Sequence, residues 1–355
     1  MTAVQSSPRT SSAATARAAI IAGRRSRSRR RTLVISALAL ALFVAVAASL
    51  MIGQTFYSPI QVLRVILGET VPGASFTVGE LRLPRTVTAV LAGTAFGLAG
   101  ATFQTMLRNP LASPDIIGIS SGASAAAVIA IVVLGLSDTG VSLFALGGAL
   151  LTALAIYLLS HRGGFSGTRL ILIGIGLAAM LNAVVSYVLS RAASWDIQTA
   201  MQWLTGSLNG ASWERVIPLL IAWLVLAPMM LATGRSLRIL QLGDDSAAGL
   251  GVRVQPTRII LILGAVALLA FATAAVGPVA FVAFMAGPIA ARLVPAGGSP
   301  LLPSALVGAV LVIVADLIGQ FAFGTRYPVG VVTGVLGAPY LILLLIRTNR
   351  AGGSL

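Results

Sequence analysis

Residues 81–122 read LRLPRTVTAVLAGTAFGLAGATFQTMLRNPLASPDIIGISSG and decide how the chain folds. Two apolar runs in this segment are separated by the more polar residues RNPLASPD at 108–115. Each run is close to the roughly 20 residues that a helix needs to cross about 30 Å of hydrocarbon. The residues that follow suit the start of a helix. The hydroxyl of Ser113 can cap the helix N-terminus, Pro114 fits the first turn, and the carboxylate of Asp115 complements the positive end of the helix dipole. The segment therefore predicts two membrane helices joined by a short turn.

Composition places the rest of the chain in a membrane as well. Of its 355 residues, 57% are hydrophobic and only 9% are charged, and the mean hydropathy is +0.98. Soluble domains are far less apolar. The sequence thus predicts an all-α, polytopic membrane helix bundle of about ten transmembrane helices, with Gly277 and Pro278 dividing the longest apolar run in two. The apolar runs lie at about 33–52, 86–107, 116–137, 139–160, 170–190, 216–234, 259–291, 299–318 and 327–346.

The distribution of arginine predicts the orientation of this bundle. The chain has no lysine, so all 24 basic residues are arginine, and the net charge is +15. With ten spans, most of the arginines, including the cluster Arg24–Arg31, fall on the face that carries both termini. By the positive-inside rule, both termini are cytoplasmic. The other face receives only Arg64, Arg82, Arg85, Arg191, Arg215 and Arg326.

The segments that flank the membrane domain are short. Residues 1–31 are rich in Ser, Ala and Arg, and we expect them to form a disordered cytoplasmic tail. The tract RRSRSRRR at 24–31 could bind nucleic acid. Because it directly precedes an apolar span, we favour a topology signal beside anionic membrane lipids and expect no nucleic-acid partner. The transmembrane domain then covers 32–348, and a cytoplasmic tail covers 349–355.

Several residue types needed for catalysis are scarce. Without lysine the chain cannot contain a Gly-x-x-x-x-Gly-Lys phosphate loop, so a partner would have to hydrolyse any ATP. There is no Cys and a single His, His161, whereas a path for bare transition-metal ions calls for clustered His, Cys or carboxylate ligands. Lone His161 and scattered acids also give little support for a hydrolytic triad. We therefore expect no enzymatic activity, no cofactor and no metal site.

Four blocks of sequence resemble the FecCD-type permease subunits of ABC importers for iron-siderophore complexes, haem and cobalamin. Residues 81–122 are the first block. The resemblance implies the type II ABC importer permease fold in a bacterial cell membrane, with transport driven by ATP hydrolysis in partner subunits. The other blocks are LQLGDDSAAGLGVRVQPTR at 240–258, VGPVAFVAFMAGPIAAR at 276–292, and Asp316 followed by YPVGVVTGVLGAPY at 327–340.

The resemblance also assigns residues to partners. A coupling loop at about 235–258 would contact the ATP-binding subunit through Gly243, Asp244, Ala247, Ala248, Leu250, Gly251 and Val252. On the external face, Arg82, Arg85 and Arg326 would dock a substrate-binding (lipo)protein through its carboxylates. Arg82 and Arg85 could instead anchor a helix end to lipid headgroups. The family works as a dimer, so a second permease chain, identical or different, is expected.

Polar and small residues within the spans are further candidates. Asn182 and Asp316 are pathway candidates, because a polar group in a span is functional by default. Either could instead form a structural hydrogen bond. Glycines spaced four apart occur at 93–97, 118–122 and 330–334. Such pairs allow close helix packing, and we favour packing inside one subunit over a dimer seam.

The external loop at 201–210 and the ionisable residues of the spans bear on the substrate and on the class of transporter. The external loop MQWLTGSLNG at 201–210 is more similar to the siderophore branch than to the cobalamin branch. We therefore predict import of a ferric-siderophore complex by alternating access, with haem or cobalamin as the alternative. A proton-coupled secondary transporter commonly places several ionisable groups in its spans, and only Asp316 qualifies here. A membrane scaffold without transport would not need an ordered coupling loop.

Overall fold

The structure, a computed structural model, describes residues 9–115, 117–160, 167–295 and 297–352. Every regular element in these ranges is helical, and a π-helical turn at Ser75–Arg82 leads directly into α3. The α-helices are α1 Arg9–Met51, α2 Pro59–Ile66, α3 Leu83–Met106, α4 Ile119–Val132, α5 Asp138–Ser160, α6 Gly167–Ser190, α7 Ser194–Leu204, α8 Trp213–Ala232, α9 Gly234–Leu240, α10 Asp244–Gly249, α11 Val254–Val276, α12 Val282–Leu293, α13 Leu301–Phe321 and α14 Val329–Gly352.

The apolar helices match the predicted spans. Within the described ranges, eight helices are long and apolar enough to cross a membrane, while α4 and α12 are apolar but shorter. Together they correspond to the ten predicted spans and confirm a polytopic helix bundle. The longest apolar run divides where predicted, since α11 ends at Val276 and Gly277 turns the chain with a φ of +74°. Glycine adopts this left-handed backbone without a steric penalty.

Helix α3 lies at the centre of the bundle. Nearly all of its side chains from Thr86 to Met106 are buried, and it packs against α8, α11, α12 and α13. A Cβ added to Gly93 or Gly97 would overlap the backbone of α13, and one on Gly100 would overlap the backbone of α12. Helices in lipid associate through such backbone contacts. The pair at 93–97 therefore packs inside the subunit, as expected.

The other two glycine pairs have mixed surroundings. Gly118 approaches α6, and Gly122 packs against α5. Gly330 meets the carbonyl that follows α7, whereas a Cβ on Gly334 would meet open space. Three of these four glycines thus serve packing within the chain.

Contacts bring both described ends of the chain to one end of the bundle. Arg31 of α1 bonds to the carbonyl of Ser299, and Arg292, at the end of α12, bonds to Tyr340 of α14. We call this end the terminal face; it carries Arg108, α9, α10 and residues 297–300. The other end, the opposite face, carries residues 50–82, Asn209 and Asp316. Contacts between distant segments define each face. On the terminal face, for example, Nη2 of Arg108 donates to the carbonyl of Leu240 at 3.0 Å.

The flanking segments differ from the prediction. Residues 1–8 lie outside the described ranges, but α1 begins at Arg9 and continues through the arginine-rich tract to Met51. Alanine and arginine are good helix formers, so residues 9–31 extend the first span as a helix instead of forming a disordered tail. At the other end, α14 reaches Gly352, well into the predicted tail at 349–355. His161 lies outside the described ranges.

The turn between α3 and α4 is longer than expected. Ser113 does not cap α4, which begins at Ile119 after Gly118, whose φ is +92°. Instead, the backbone N–H of Asp115 donates to Oγ of Ser113 at 3.4 Å, and Oγ of Ser120 donates to Oδ1 of Asp115 at 2.7 Å. Because this turn uses residues that were predicted to be helical, α4 is too short to cross a membrane alone.

Candidate functional site

The predicted coupling loop folds into two short helices on the terminal face. Residues 235–258 comprise most of α9, all of α10 and the first turn of α11. Gly243 and Gly251 flank α10 with φ values of +109° and +82°, and a Cβ at either position would meet open space. These glycines therefore permit sharp changes of backbone direction. Neither is needed for close packing within the chain.

Helix α10 buries one side and exposes the other. Ala247 is fully buried, and its carbonyl accepts a hydrogen bond from the N–H of half-buried Val252 at 3.0 Å. Ala247 therefore packs against the rest of the chain. Leu242 and Leu250, by contrast, are 65% and 62% exposed. We call four of the exposed residues of this segment the coupling surface; they are Leu242, Ala248, Leu250 and Gly251.

An ion pair holds the coupling surface in place. Nη2 of Arg258, at the start of α11, donates to both carboxylate oxygens of Asp244 at 2.9 and 3.0 Å. Arg258 is only 8% exposed, which fixes its position, while the side chain of Asp244 is 51% exposed. Asp244 thus ties the start of α10 to α11. Its role in the structure is to position the turn.

On the opposite face, the predicted docking residue Arg85 forms a buried network. Its Nε and Nη2 donate to the two carboxylate oxygens of Asp316 at 2.9 and 2.7 Å, and its Nη1 donates to Oδ1 of Asn209 at 2.8 Å. Gln320 donates to the same carboxylate at 2.7 Å. The Asp316 side chain is 3% exposed and that of Arg85 is 16% exposed. Asp316 therefore joins α13 to the start of α3 through hydrogen bonds, as a structural role would require.

Arg82 is also engaged within the chain. Its Nη1 donates to the carbonyls of Leu50 and Met51, both at 2.9 Å, and its Nη2 donates to the carbonyl of Thr55 at 2.6 Å. Its guanidinium lies 5.0 Å from the centre of the Tyr57 ring. These contacts fasten the π-helical turn to the end of α1. Both Arg82 and Arg85 are thus partly buried and bonded within the chain, and each keeps one N–H group at an exposed position.

Arg326 is the exposed member of the predicted docking set. It lies in the turn between α13 and α14 on the opposite face. It lines a cavity of about 440 Å³ together with Asn209, Arg215 and Asp138. Arg215 and Asp138 form an ion pair in this cavity. Of the three arginines, Arg326 is thus exposed, whereas Arg82 and Arg85 are partly buried and bonded within the chain.

Helix α6 carries the other pathway candidate on an uncovered surface. Asn182 is exposed on α6, as are Met180 and Tyr187, which are 70% and 59% exposed. A carboxamide facing lipid would lose its hydrogen bonds to water, which is unfavourable. This side of α6 therefore calls for a protein neighbour or a water-filled space.

A cavity of about 540 Å³ lies where the turn before α4 meets α12 and α14. Phe281, at the start of α12, has a φ of +63°, a left-handed backbone that costs a bulky residue about 1–2 kcal/mol. Both polar and apolar side chains line this cavity, which we call the central cavity. Among them are Ser113, Asp115 and Ser120, and Phe281, Phe284 and Leu341.

Asp115 is the acidic group of the central cavity. It lies in the turn between α3 and α4, outside both helices. Burial raises the pKa of its carboxyl, and hydrogen bonds from Ser120 and Ser113 partly oppose the rise. The sequence analysis treated Asp115 only as a helix-start residue and did not single out Phe281. The position of Asp115 directly after RNPLASP could have identified it as a candidate site residue. No sequence pattern indicates the left-handed backbone of Phe281.

Comparison with known proteins agrees with this arrangement. Residues 20–347 match the model of the FecCD transport family. The chain is 40% identical to the ferric enterobactin transport system permease protein FepG of Escherichia coli K12, over 91% of this chain and 98% of FepG. It is 43% identical to the achromobactin transport system permease protein CbrC of Dickeya dadantii, over 88% and 91% of the two chains.

A solved structure extends the likeness to three dimensions. An ABC transporter of the metal-chelate type in an inward-facing conformation superposes with a TM-score of 0.77 at 28% identity. The match covers 89% of this chain and 99% of that one. The fold is therefore that of an ABC importer permease, and the chain is a multi-pass membrane protein. On its sequence, and over nearly the whole of its length, this chain belongs to the FecCD transport family.

Proposed function

We propose that this chain is the permease subunit of an ABC importer that moves a ferric-siderophore complex across the cytoplasmic membrane by alternating access. The observation that carries the proposal is the coupling surface, where Leu242 and Leu250 stand exposed on a turn braced by Asp244 and Arg258. A transporter driven by an ion gradient has no use for such a surface. The ferric chelate is suggested by FepG and CbrC, whose names give enterobactin and achromobactin as their substrates.

The ATP-binding partner would bind the terminal face. The leucines of the coupling surface offer apolar contact area, and the Asp244–Arg258 pair holds the turn rigid while the partner moves. A rigid turn transmits a displacement of the ATPase to α9 and α11 as a unit. This chain would hydrolyse no ATP itself, and the terminal face would be cytoplasmic, as its arginine content favours.

A second permease chain, identical or different, would cover the exposed side of α6. That side carries Asn182, whose amide is unfavourable in lipid. Placed between two chains, Asn182 could bond to the partner chain or to the cargo. The central cavity adds Asp115 and Phe281 as pathway candidates, because it combines hydrogen-bonding groups with aromatic walls at the inner side of the short helix α4.

An external binding protein would deliver the chelate to the opposite face. Arg326 is suited to pair with a carboxylate of that protein because it is exposed. Arg82 and Arg85 would contribute indirectly by fixing the helices around it. This revises the expected docking set to one direct contact and two supporting residues.

Reconstitution tests the proposal. The chain would be purified with its ATP-binding subunit and, if the two permease chains differ, with its partner permease, and placed in liposomes loaded with ATP. With the external binding protein added outside, uptake of ferric enterobactin would be compared with uptake of haem, cobalamin and free ferrous ion. We expect ATP-dependent uptake of the ferric chelate alone. Uptake of haem or cobalamin would support the alternative substrates. Uptake that needs a proton gradient and no ATPase would instead favour a secondary transporter and overturn the proposal.

A further inference from the structure

A basic cavity opens on the terminal face, beside the coupling surface. It has a volume of about 590 Å³ and lies between α1, α3, α9, α12 and the loop at 294–300. Three arginines line it, Arg31, Arg108 and Arg238, together with the amide side chains of Gln104 and Gln241. All of the lining residues among those described are neutral or basic. The cavity is thus strongly positive and large enough for a small organic anion.

Backbone carbonyls hold each guanidinium in position. Arg31 donates to the carbonyl of Ser299, and Nη1 of Arg238 donates to the carbonyl of Gly297 at 2.6 Å. A Cβ on Gly298 would overlap the Arg31 guanidinium, so Arg31 lies directly on this loop. A guanidinium has five N–H donors, and these single-carbonyl contacts leave donors for a ligand.

These arginines lack counter-charges in the described part of the chain. The ion pairs found there involve other arginines, namely Arg64, Arg85, Arg215 and Arg258. Arg31 and Arg238 are close enough to repel each other. An anion between them would remove this repulsion, because opposite charges at contact distance attract strongly in a partly buried site.

The backbone at Arg108 gives an independent indication. Its φ is +50°, a left-handed conformation just after the C-terminus of α3, where glycine is the favoured residue. Arginine there costs about 1 kcal/mol relative to glycine. Strained non-glycine residues cluster at binding sites, where the side chain compensates for the strain.

The surroundings of the cavity are those of a membrane interface. Arg27 lies four residues before Arg31, and Arg24 lies three residues before Arg27. All three arginines therefore share one side of α1. Leu33 and Leu293, on two of the helices that border the cavity, are 61% and 44% exposed. Basic pockets at the ends of membrane helices bind phosphate headgroups of anionic lipids.

We propose that the cavity lined by Arg31, Arg108 and Arg238 binds a phosphate group, as carried by the headgroup of an anionic phospholipid or by free phosphate. Arginine matches phosphate oxygens with paired N–H donors. The proposal does not depend on the identity of the cargo. Binding there would tie α1 and the loop at 297–300 to α9, which adjoins the coupling surface.

Titration of the purified full-length chain tests the site. The delipidated protein in neutral detergent would be titrated by calorimetry with dihexanoyl phosphatidylglycerol, dihexanoyl phosphatidylcholine and inorganic phosphate. We expect saturable binding of phosphatidylglycerol, weakened about tenfold in the Arg31→Gln/Arg238→Gln variant, or about 1.4 kcal/mol. The matched control is Arg29→Gln/Arg30→Gln, which removes the same charge from the same helix but outside the cavity. We expect it to bind as the unchanged protein does.

The outcomes separate the two sources of phosphate. Tight binding of phosphatidylglycerol with weak competition by inorganic phosphate supports a lipid site, and equal binding of inorganic phosphate alone supports a free-anion site. The proposal is overturned if phosphatidylcholine binds as tightly as phosphatidylglycerol, or if Arg29→Gln/Arg30→Gln weakens phosphatidylglycerol binding as much as Arg31→Gln/Arg238→Gln does. It is also overturned if none of the ligands shows saturable binding. If the double variant does not fold, the single variant Arg238→Gln, at an exposed position, answers the same question.

Discussion

On the opposite face, Arg85 and Asp316 form a bidentate pair, with N···O distances of 2.9 and 2.7 Å. The two residues are 231 positions apart in the chain, and they join the start of α3 to the end of α13. Breaking a buried pair by removing one partner is more harmful than removing both, because it leaves an uncompensated charge. Removal of Arg85 alone is therefore expected to destabilise the fold.

The first prediction concerns this pair. Arg85→Gln should lower the free energy of unfolding by about 3–5 kcal/mol, because Asp316 would keep a buried charge without a partner. The double variant Arg85→Gln/Asp316→Asn should lose less than the sum of the single losses. Thermal unfolding in detergent measures both. Arg64→Gln is the control, because it breaks an exposed pair with Glu69 and should cost less than about 1 kcal/mol. Equal losses at Arg64 and Arg85 would contradict the argument.

The second prediction concerns docking of the external binding protein. Arg326→Gln should slow association and reduce its dependence on salt, since exposed charges at the rim of an interface govern encounter rate. Arg82→Gln should leave the salt dependence unchanged, because Arg82 is bound to carbonyls of α1 and the loop after it. Surface-plasmon measurements at several salt concentrations distinguish the two. Arg191→Gln, at another exposed arginine of that face, is the control. A stronger effect at Arg82 than at Arg326 would restore the original docking assignment.

The sequence could predict features that depend on local composition. Apolar runs gave the spans, and Gly277 with Pro278 gave the division between α11 and α12, because these residues disfavour a continuous helix. The start of α4 could not be predicted, because serine and aspartate are favoured both at the start of a helix and in irregular turns. Ser113 and Asp115 form such a turn. The structure continues α1 through residues 9–31. The high charge of this segment favoured a tail, whereas the helix propensity of its alanines and arginines favours this helix.

Contacts between residues far apart in the chain could not be predicted from the sequence. The partner of Arg85 could not be identified from its neighbours, and external arginines at a span end look alike whether they face inward or outward. The buried side of α10 could not be assigned either. Six residues are fewer than two helical turns, so Ala247 and Ala248 show no periodicity that would tell which of them is buried.

The third prediction concerns pH. A carboxyl whose pKa is raised in the folded state stabilises the protein fully at low pH, and this contribution is lost as pH rises through the folded pKa. Burial raises the pKa of Asp115 in this way. Relative to Asp115→Asn, the unchanged protein should therefore lose stability as pH rises from about 4, near the ordinary pKa of an aspartate. Melting temperatures from pH 4 to pH 7 measure the difference. Asp245→Asn, at an exposed acid, is the control, and a slope equal to that of the control would contradict the assignment.

The fourth prediction concerns coupling to ATP hydrolysis. Leu250→Asp should reduce binding of the ATP-binding subunit at least about tenfold and abolish transport-linked ATP hydrolysis, because a charge in an apolar interface is desolvated without a partner. The variant should still insert and fold, since Leu250 is 62% exposed. Leu63→Asp makes the same change at a leucine 56% exposed on the opposite face, and should leave ATPase binding intact. Co-purification and ATPase assays in nanodiscs provide the measurements.

Ala247 supplies a second and different change at the same turn. Ala247→Trp places a large ring at a fully buried position, so it should displace α10 and lower the melting temperature as well as coupling. Leu250→Asp should lower coupling alone. If Ala247→Trp keeps the original melting temperature but loses the ATPase, then Ala247 contacts the partner directly. If Leu250→Asp retains full ATP-dependent transport, the ATPase binds elsewhere on the terminal face, and the coupling surface has another role.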